Sequence, residues 1–134
     1  MQVVSTGLRY LIVPVVPGAL ARARIREDIT PLLRDVGAQF AVLLDEHALE
    51  VRHWNNDGIV EDIATGSAAG TIGAYRLTHG LAAGGETFVL HQGQYTGRAS
   101  TLHVQPEGTR EWVRTVKVGG DVAFVGTGSL EVLP

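Results

Sequence analysis

The sequence contains no cysteine among its 134 residues. This absence excludes disulfide bonds, thiolate catalysis and zinc sites built on cysteine, and it is typical of proteins in a reducing compartment. The sequence also has no apolar run of membrane-spanning length. Its first residues do not show the basic start, apolar stretch and cleavage site of a secretory signal. We therefore expect a cytoplasmic protein with no membrane partner.

Charged residues are few, and neither sign dominates. The chain has 11 lysine and arginine residues and 14 aspartate and glutamate residues, which gives a formal net charge of −3. Such a balance gives no reason to expect nucleic acid or an acidic membrane surface as a partner. The five histidines show no spacing that is typical of metal ligands, so the sequence predicts neither a metal site nor another cofactor.

The length predicts one domain over residues 1–134, large enough to bury a core without metals or disulfides. Seventeen glycines indicate many tight turns between short apolar segments. One helix is predicted to begin at Thr30, as its cap, and to end before Gly37. Many strands around few helices favour an α+β fold, or a barrel closed around a helix. The predicted strands are Tyr10–Val16, Gln39–Leu44, Leu49–Trp54, Thr87–His91, Thr101–Val104, Trp112–Val118, Val122–Val125 and Leu130–Val132.

The stretch from Val60 to Gly80 organises the chain. It predicts a helix from Ser67 to about His79, with Thr65 or Ser67 as the cap and Gly80 just past the end. Residues 68–70 and 72–74 are small or apolar, so this half of the helix has no polar face. A helix that is apolar all round is buried. We therefore expect a thin central helix wrapped by strands, with its N-terminus at an open face.

Two acids, Glu61 and Asp62, come just before this helix. A helix N-terminus presents N–H groups without partners and the positive end of the dipole, which suit a carboxylate or phosphate. Asp62 is therefore a candidate to transfer a proton to a bound ligand, and Glu61 is its nearest competitor. The alternative is structural, because acids often do no more than favour the start of a helix.

Four motifs occur in an order that is more specific than any one of them alone. They are Ser5–Pro14, Glu61–Gly70, Gln92–Arg98 with Ser100, and Val118–Gly120. Together they resemble the second half of the PhzF-type isomerases of phenazine biosynthesis, which have the diaminopimelate-epimerase-like fold. The resemblance implies, over nearly the whole chain, one lobe of that fold: a mixed sheet curled around a central helix. In this family two lobes face each other about a pseudo-twofold axis, and the substrate lies in the cleft between them.

The resemblance also implies roles for individual residues. Asp62 matches the cleft aspartate of the family and would take part in proton transfer. Thr65, Gly66 and Ser67 would hold the substrate, and Glu61 and Arg98 would support them.

The chain departs from the family pattern in several places. Ile63 stands where a proline is usual, Thr96 and Ala99 replace a methionine and a proline, and Trp54-Asn55-Asn56 replaces the aromatic-x-Pro segment before the acidic block. These changes affect the shape that is expected for the cleft floor, but they leave Asp62 in place.

The family chain is about twice as long, and its first lobe carries a glutamate base and an active-site histidine that have no counterpart here. One lobe supplies half a cleft. It would be completed by a symmetric homodimer, with Asp62 of both copies in one cavity, or by a separate chain that carries the first lobe. The strand predicted at Leu130–Val132 would cross to the partner.

We therefore expect a cofactor-independent isomerase or epimerase that shifts a proton on a small carboxylated metabolite. The lack of cysteine rules out the two-thiol mechanism of diaminopimelate epimerases. One competing hypothesis is a non-catalytic binding or partner subunit that keeps the fold. Another is a truncated remnant, whose open cleft would expose apolar surface.

Overall fold

The structure is a computed structural model that describes residues 1–132; Leu133 and Pro134 lie outside the described residues. The α-helices are α1 (Thr30–Asp35) and α2 (Gly66–Thr78), and short 3-10 helices cover Ala19–Arg22 and Gln94–Thr96. The strands are β1 (Gln2–Ser5), β2 (Arg9–Pro14), β3 (Phe40–Asp45), β4 (Glu50–Trp54), β5 (Glu61–Asp62), β6 (Phe88–Gln92), β7 (Ser100–Gly108) and β8 (Val113–Gly119).

The strands form one mixed sheet in the order β1-β2-β3-β4-β6-β7-β8, and β5 pairs with β4. β2 runs parallel to β3, and β4 runs parallel to β6 through the pair Glu50 and His91. The remaining neighbours are antiparallel. β5 and β6 share one edge of β4, with β6 at its start and β5 at its end, because β3 occupies the other edge. The start of β4 therefore pairs with β6, and its end pairs with the two acidic residues of β5.

The sheet curls around α2, which contacts β7 and β8 at one end of the sheet and β1 and β2 at the other. Residues 68–74 are all buried, which confirms the thin central helix. A Cβ at Gly73 would lie 2.6 Å from Cγ1 of Val116 and 2.8 Å from Cγ1 of Val104, so glycine allows β7 and β8 to approach. Gly80 follows the helix with φ of 67°, as predicted. The α+β fold, with a mixed sheet around one helix, is thus confirmed.

The structure corrects the way in which both helices begin. The N-cap of α1 is Ile29, and the carboxylate of Asp28 accepts the N–H of Thr30 at 2.8 Å. In α2, Thr65 is at the cap position but makes no capping bond, and Ser67 lies inside the helix. The hydroxyls of Thr65 and Ser67 bind other side chains instead, which are part of the site described below.

Several strands differ from the sequence prediction. The sequence does not predict β1, of four residues, or β5, of two, because neither is long enough to show a pattern. The predicted strand Tyr10–Val16 ends at Pro14, and it lies between β1 and β3 in the sheet. Pro14 is tolerated there because β1 pairs with β2 no further than Ile12.

The strands predicted at Val122–Val125 and Leu130–Val132 are wrong. Residues 120–130 have no regular secondary structure, and residues 131–132 form a bend. The segment has the apolar residues of a strand, but a strand also needs an edge that satisfies its backbone N–H and C=O groups. In the described part of the chain this segment pairs with no strand.

A second feature of the fold is a seam between β1 and β8, the end strands of the sheet. A cavity of about 460 Å³ lies along it, lined by residues 4–6, by residues 113–116 and by Ala74 and Thr78 of α2. Within residues 1–132, no helix has the length and apolarity that a membrane span requires.

Candidate active site at the start of the central helix

The two acids of β5 lie beside the end of β4, where Asp62 pairs with His53 and Glu61 pairs with Trp54. Successive side chains of a strand point to opposite faces. The carboxylates of Glu61 and Asp62 therefore lie on opposite faces of the strand and contact different groups.

Glu61 is held in an ion pair with Arg52. Nε and Nη2 of Arg52 donate to its two carboxylate oxygens at 2.8 and 2.5 Å, and both side chains are largely buried. Nη1 of Arg52 also donates to the carbonyl of Leu20 at 2.6 Å, and its guanidinium lies 4.3 Å from the ring centroids of Trp54 and Tyr95. These contacts give Glu61 an anchoring role. If Glu61 took up a proton, the buried guanidinium of Arg52 would lose its counter-charge.

Asp62 lies on the other face and is half-buried. Its Oδ1 accepts the N–H of Ile63 at 2.8 Å, and its Oδ2 accepts the hydroxyl of Thr65 at 2.7 Å. His53 lies alongside on β4, with Nδ1 at 2.8 Å from the carbonyl of Ala41. Because a carbonyl can only accept, Nδ1 of His53 carries a hydrogen.

Gln92, at the end of β6, fixes the loop between Asp62 and Thr65. Its side chain is buried, at 1% exposure. Nε2 donates to the hydroxyl of Thr65 at 2.9 Å and to the carbonyl of Asp62 at 2.8 Å, while Oε1 accepts the N–H of Thr65 at 3.0 Å. The loop that carries the acid is therefore bound to the sheet by one buried amide.

Opposing effects set the pKa of Asp62. Burial acts to raise it, but hydrogen bonds from the Thr65 side chain and from the N–H groups of Ala64 and Ile63, with the attraction of His53, outweigh burial. Together they hold the pKa of Asp62 below its ordinary value. Asp62 is therefore ionised at neutral pH and can accept a proton rather than donate one.

The first turn of α2 is open to solvent. Ala64, Gly66 and Ser67 are exposed, and no side chain caps the helix. Oγ of Ser67 is 2.8 Å from the hydroxyl of Tyr10, whose side chain is only 2% exposed. A buried ring thus orients a hydroxyl at a helix start that favours anions.

A cavity of about 510 Å³ opens at this helix start. Ala64 and Gly66 line one side, and residues 99–102 and 118–121 line the other. This volume suits a small metabolite. Asp62 is not among the lining residues, because its carboxylate turns back toward Thr65; the acid that lines the cavity is Asp121.

Of the residues that the sequence suggests for the site, Gly66 lines the cavity, whereas Asp62, Thr65 and Ser67 do not. Thr65 is buried, and its hydroxyl is bound to Asp62 and Gln92.

Arg98 does not line the cavity either, and it is exposed in the turn after the second 3-10 helix. Glu61 faces Arg52 on the opposite side of β5. Among the described residues, no group of three or more His, Cys, Asp or Glu could hold a metal ion.

Sequence reasoning assigns no role to Gln92, Tyr10 or His53. Each is a residue with a polar side-chain group that lies in a strand and is buried in the structure. Buried polar groups need partners, so their positions are a signal. The sequence does not predict that Gln92 binds Thr65 or that Tyr10 binds Ser67, because those contacts depend on how the sheet curls.

Comparison with known proteins places the chain among related sequences. Residues 1–128 match the family model PhzC-PhzF, described as phenazine biosynthesis-like protein. The trans-2,3-dihydro-3-hydroxyanthranilate isomerase of Pseudomonas aeruginosa is 36% identical over 83 residues, which cover 58% of this chain and 30% of that protein. The isomerase of the same name from Pseudomonas fluorescens is 37% identical over 73 residues, which cover 54% and 26%.

Two further relatives match almost all of the chain. A solved structure from Pseudomonas aeruginosa, described as a predicted epimerase, has a TM-score of 0.81 and 48% identity, and the match covers 96% of this chain and 44% of that one. An uncharacterized isomerase of Pasteurella multocida is 29% identical over 132 residues, which cover 96% and 44%. The chain thus spans less than half the length of each of these relatives.

Proposed function

The chain belongs to the phenazine biosynthesis-like PhzC-PhzF family, and on that premise we propose that it forms one half of an isomerase or epimerase active site. The proposed reaction moves a proton on a small carboxylated metabolite and needs no cofactor. The observation that carries the proposal is the position of Asp62, an ionised carboxylate held just before the open N-terminus of α2. The site combines an anion-binding helix start with a proton acceptor, as this reaction requires.

In the proposed site, the substrate carboxylate lies at the first turn of α2. The N–H groups of Gly66 and Ser67 have no acceptor within the helix and would bind it. The hydroxyl of Ser67, oriented by Tyr10, would add a further bond. Asp62, two residues before the cavity-lining Ala64, would accept the proton from the substrate.

A proton that is removed must be returned, so a second group is needed across the cleft. We propose that it comes from a second copy of the chain or from a separate first lobe. In a homodimer two Asp62 carboxylates would approach each other. Their repulsion would raise the pKa of one of them and make it the acid.

A second candidate function is binding without catalysis. It is favoured by the observation that the helix start lines the cavity, whereas Asp62 does not. Such a cavity could hold an anionic metabolite at Gly66 without any proton transfer.

The test is deuterium wash-in from solvent into cyclic hydroxy acids and amino acids, with the chain alone and with the first half of a family member added. We expect exchange in wild type and a rate that is lower by about 10²–10⁴ in Asp62→Asn. Asp57→Asn, in the exposed turn before β5, is the matched control and should exchange like wild type. Equal exchange in Asp62→Asn would remove Asp62 from the mechanism. Binding of an acid by calorimetry, with no exchange under any condition, would favour the binding subunit.

A further inference from the structure

We propose that Gln92 is a positioning residue that aligns the carboxylate of Asp62 for proton transfer, because it fixes the direction of the Thr65 hydroxyl. The proposal rests on the proposed function only in giving Asp62 the role of base. The arrangement itself follows from contacts within the described residues and can be tested without a substrate.

Two backbone groups fix the orientation of the Gln92 amide. Its Oε1 accepts the N–H of Thr65, and its Nε2 donates to the carbonyl of Asp62. If the amide were turned over, its NH₂ group would face an N–H and its oxygen would face a carbonyl. Two backbone groups therefore decide which end of the side chain is the donor.

The orientation of this amide in turn fixes the direction of the Thr65 hydroxyl. The same Nε2 of Gln92 donates to Oγ1 of Thr65 at 2.9 Å, so this oxygen is the acceptor in that bond. A threonine hydroxyl has one hydrogen. That hydrogen is left for Oδ2 of Asp62, which lies 2.7 Å away.

The consequence is that each carboxylate oxygen of Asp62 receives a donor, Oδ1 from Ile63 and Oδ2 from Thr65. Donors that point at a carboxylate favour its ionised form. Among the described residues, no lysine or arginine forms an ion pair with Asp62. The lowered pKa of Asp62 thus depends on hydrogen bonds rather than on a salt bridge.

The other charged groups near Asp62 do not replace this arrangement. His53 lies on the adjacent strand and attracts the carboxylate, but this attraction is the smallest of the effects on its pKa. Glu61 is turned to the other face and paired with Arg52. Asp121 lines the nearby cavity, but it is not among the groups that shift the pKa of Asp62.

The experiment is an NMR titration of the Asp62 carboxyl carbon in the 134-residue chain. Gln92→Met and Thr65→Val should each raise the pKa of Asp62, and Thr65→Ser, which keeps the hydroxyl, should not. Because Gln92 acts through Thr65, the Gln92→Met change should add little in the Thr65→Val background. The control is Gln105→Met, which removes a glutamine bond to the carbonyl of Gly85 away from the site.

If Gln92→Met does not fold, Gln92→Asn makes the same test without adding a charge. Its amide is one methylene shorter and should no longer reach the Thr65 hydroxyl, so the pKa of Asp62 should again rise. An unchanged pKa of Asp62 in a folded Gln92 variant would overturn the proposal. So would a full, additive shift in the double variant.

The two proposals fail in different ways. An upward shift of the Asp62 pKa in Gln92→Met, with no deuterium exchange in wild type, supports the arrangement and counts against the proposed reaction. Loss of exchange in Gln92→Met with an unchanged pKa of Asp62 overturns the positioning role and leaves the reaction in place.

Discussion

Arg52 binds both carboxylate oxygens of Glu61 from the neighbouring strand, with Nε at 2.8 Å and Nη2 at 2.5 Å. Asp62, the next residue, is instead bound by the hydroxyl of Thr65 and the N–H of Ile63. A charged pair of this kind locks a carboxylate in place, whereas neutral donors leave it able to react. The two adjacent acids therefore have different tasks, one in the fold and one in the proposed chemistry.

We expect Glu61→Gln to destabilise the fold by about 3–5 kcal/mol, because it leaves the buried guanidinium of Arg52 without its counter-charge. The measurement is the free energy of unfolding from urea denaturation. The control is Glu107→Gln, which breaks ion pairs with Arg114 and Lys117, whose side chains are more than half exposed. It should cost less than about 1 kcal/mol. Similar costs for the two variants would contradict the anchoring role of Glu61.

The close approach of β7 and β8 to α2 leads to a second prediction. A side chain at Gly73 would meet Val116 and Val104 at less than 3 Å, so Gly73→Leu should overpack the core and cost at least about 1–3 kcal/mol. Gly66→Ala is the matched control, because a Cβ there meets nothing within 4 Å. Thermal unfolding should show a clear loss for Gly73→Leu and none for Gly66→Ala. Equal melting temperatures would count against a buried α2.

The third prediction concerns pH. The pKa of Asp62 is lower in the folded chain, so its ionised form stabilises the fold above the unfolded value of about 3.9, and this contribution is lost as pH falls through the folded pKa. Asp62→Asn also leaves one side-chain oxygen for two donors, so either the Ile63 N–H or the Thr65 hydroxyl loses its acceptor. The melting temperature of Asp62→Asn should therefore be below that of wild type at pH 7.

The difference between Asp62→Asn and wild type should then shrink as the pH falls from about 4 toward 2. Asp35→Asn, which changes an exposed carboxylate at the end of α1, is the control for general charge effects. A difference that stays constant over the whole range would show that ionised Asp62 does not stabilise the fold.

Local signals in the sequence were enough to predict α2. A run of small residues indicates a buried helix, and Gly80 marks its end by its backbone freedom alone. The separate tasks of Glu61 and Asp62 were not predictable, because they depend on how two residues of β5 pair with β4. The contacts of Gln92 depend on the same long-range register. A sequence pattern identifies a candidate acid, but the sheet decides which neighbour binds it.

The end of the chain shows that apolar residues alone do not predict a strand. Val122, Phe124 and Leu130 have the apolar character of a strand, yet they are 93%, 81% and 82% exposed. β1 and β8 each have one edge without a neighbouring strand in the described part of the chain. The tail is apolar enough to pair as a strand, and each end strand of the sheet has an edge that could accept one. These two features favour pairing between copies of the chain. Such pairing would bury the tail and supply the strand that this copy lacks.

The last prediction is therefore a homodimer that joins the helix starts and exchanges the tails. Sedimentation of the 134-residue chain at micromolar concentration should give about twice the chain mass of 14.3 kDa. Replacing Val122 and Phe124 by serine should shift the chain toward monomer, because it removes apolar area from the proposed contact. Leu32→Ser with Val36→Ser, on the exposed side of α1, is the matched control and should keep the wild-type mass. A wild-type monomer would contradict the homodimer and leave a separate first-lobe chain as the partner, whereas a dimer unaffected by the tail variant would exclude tail exchange.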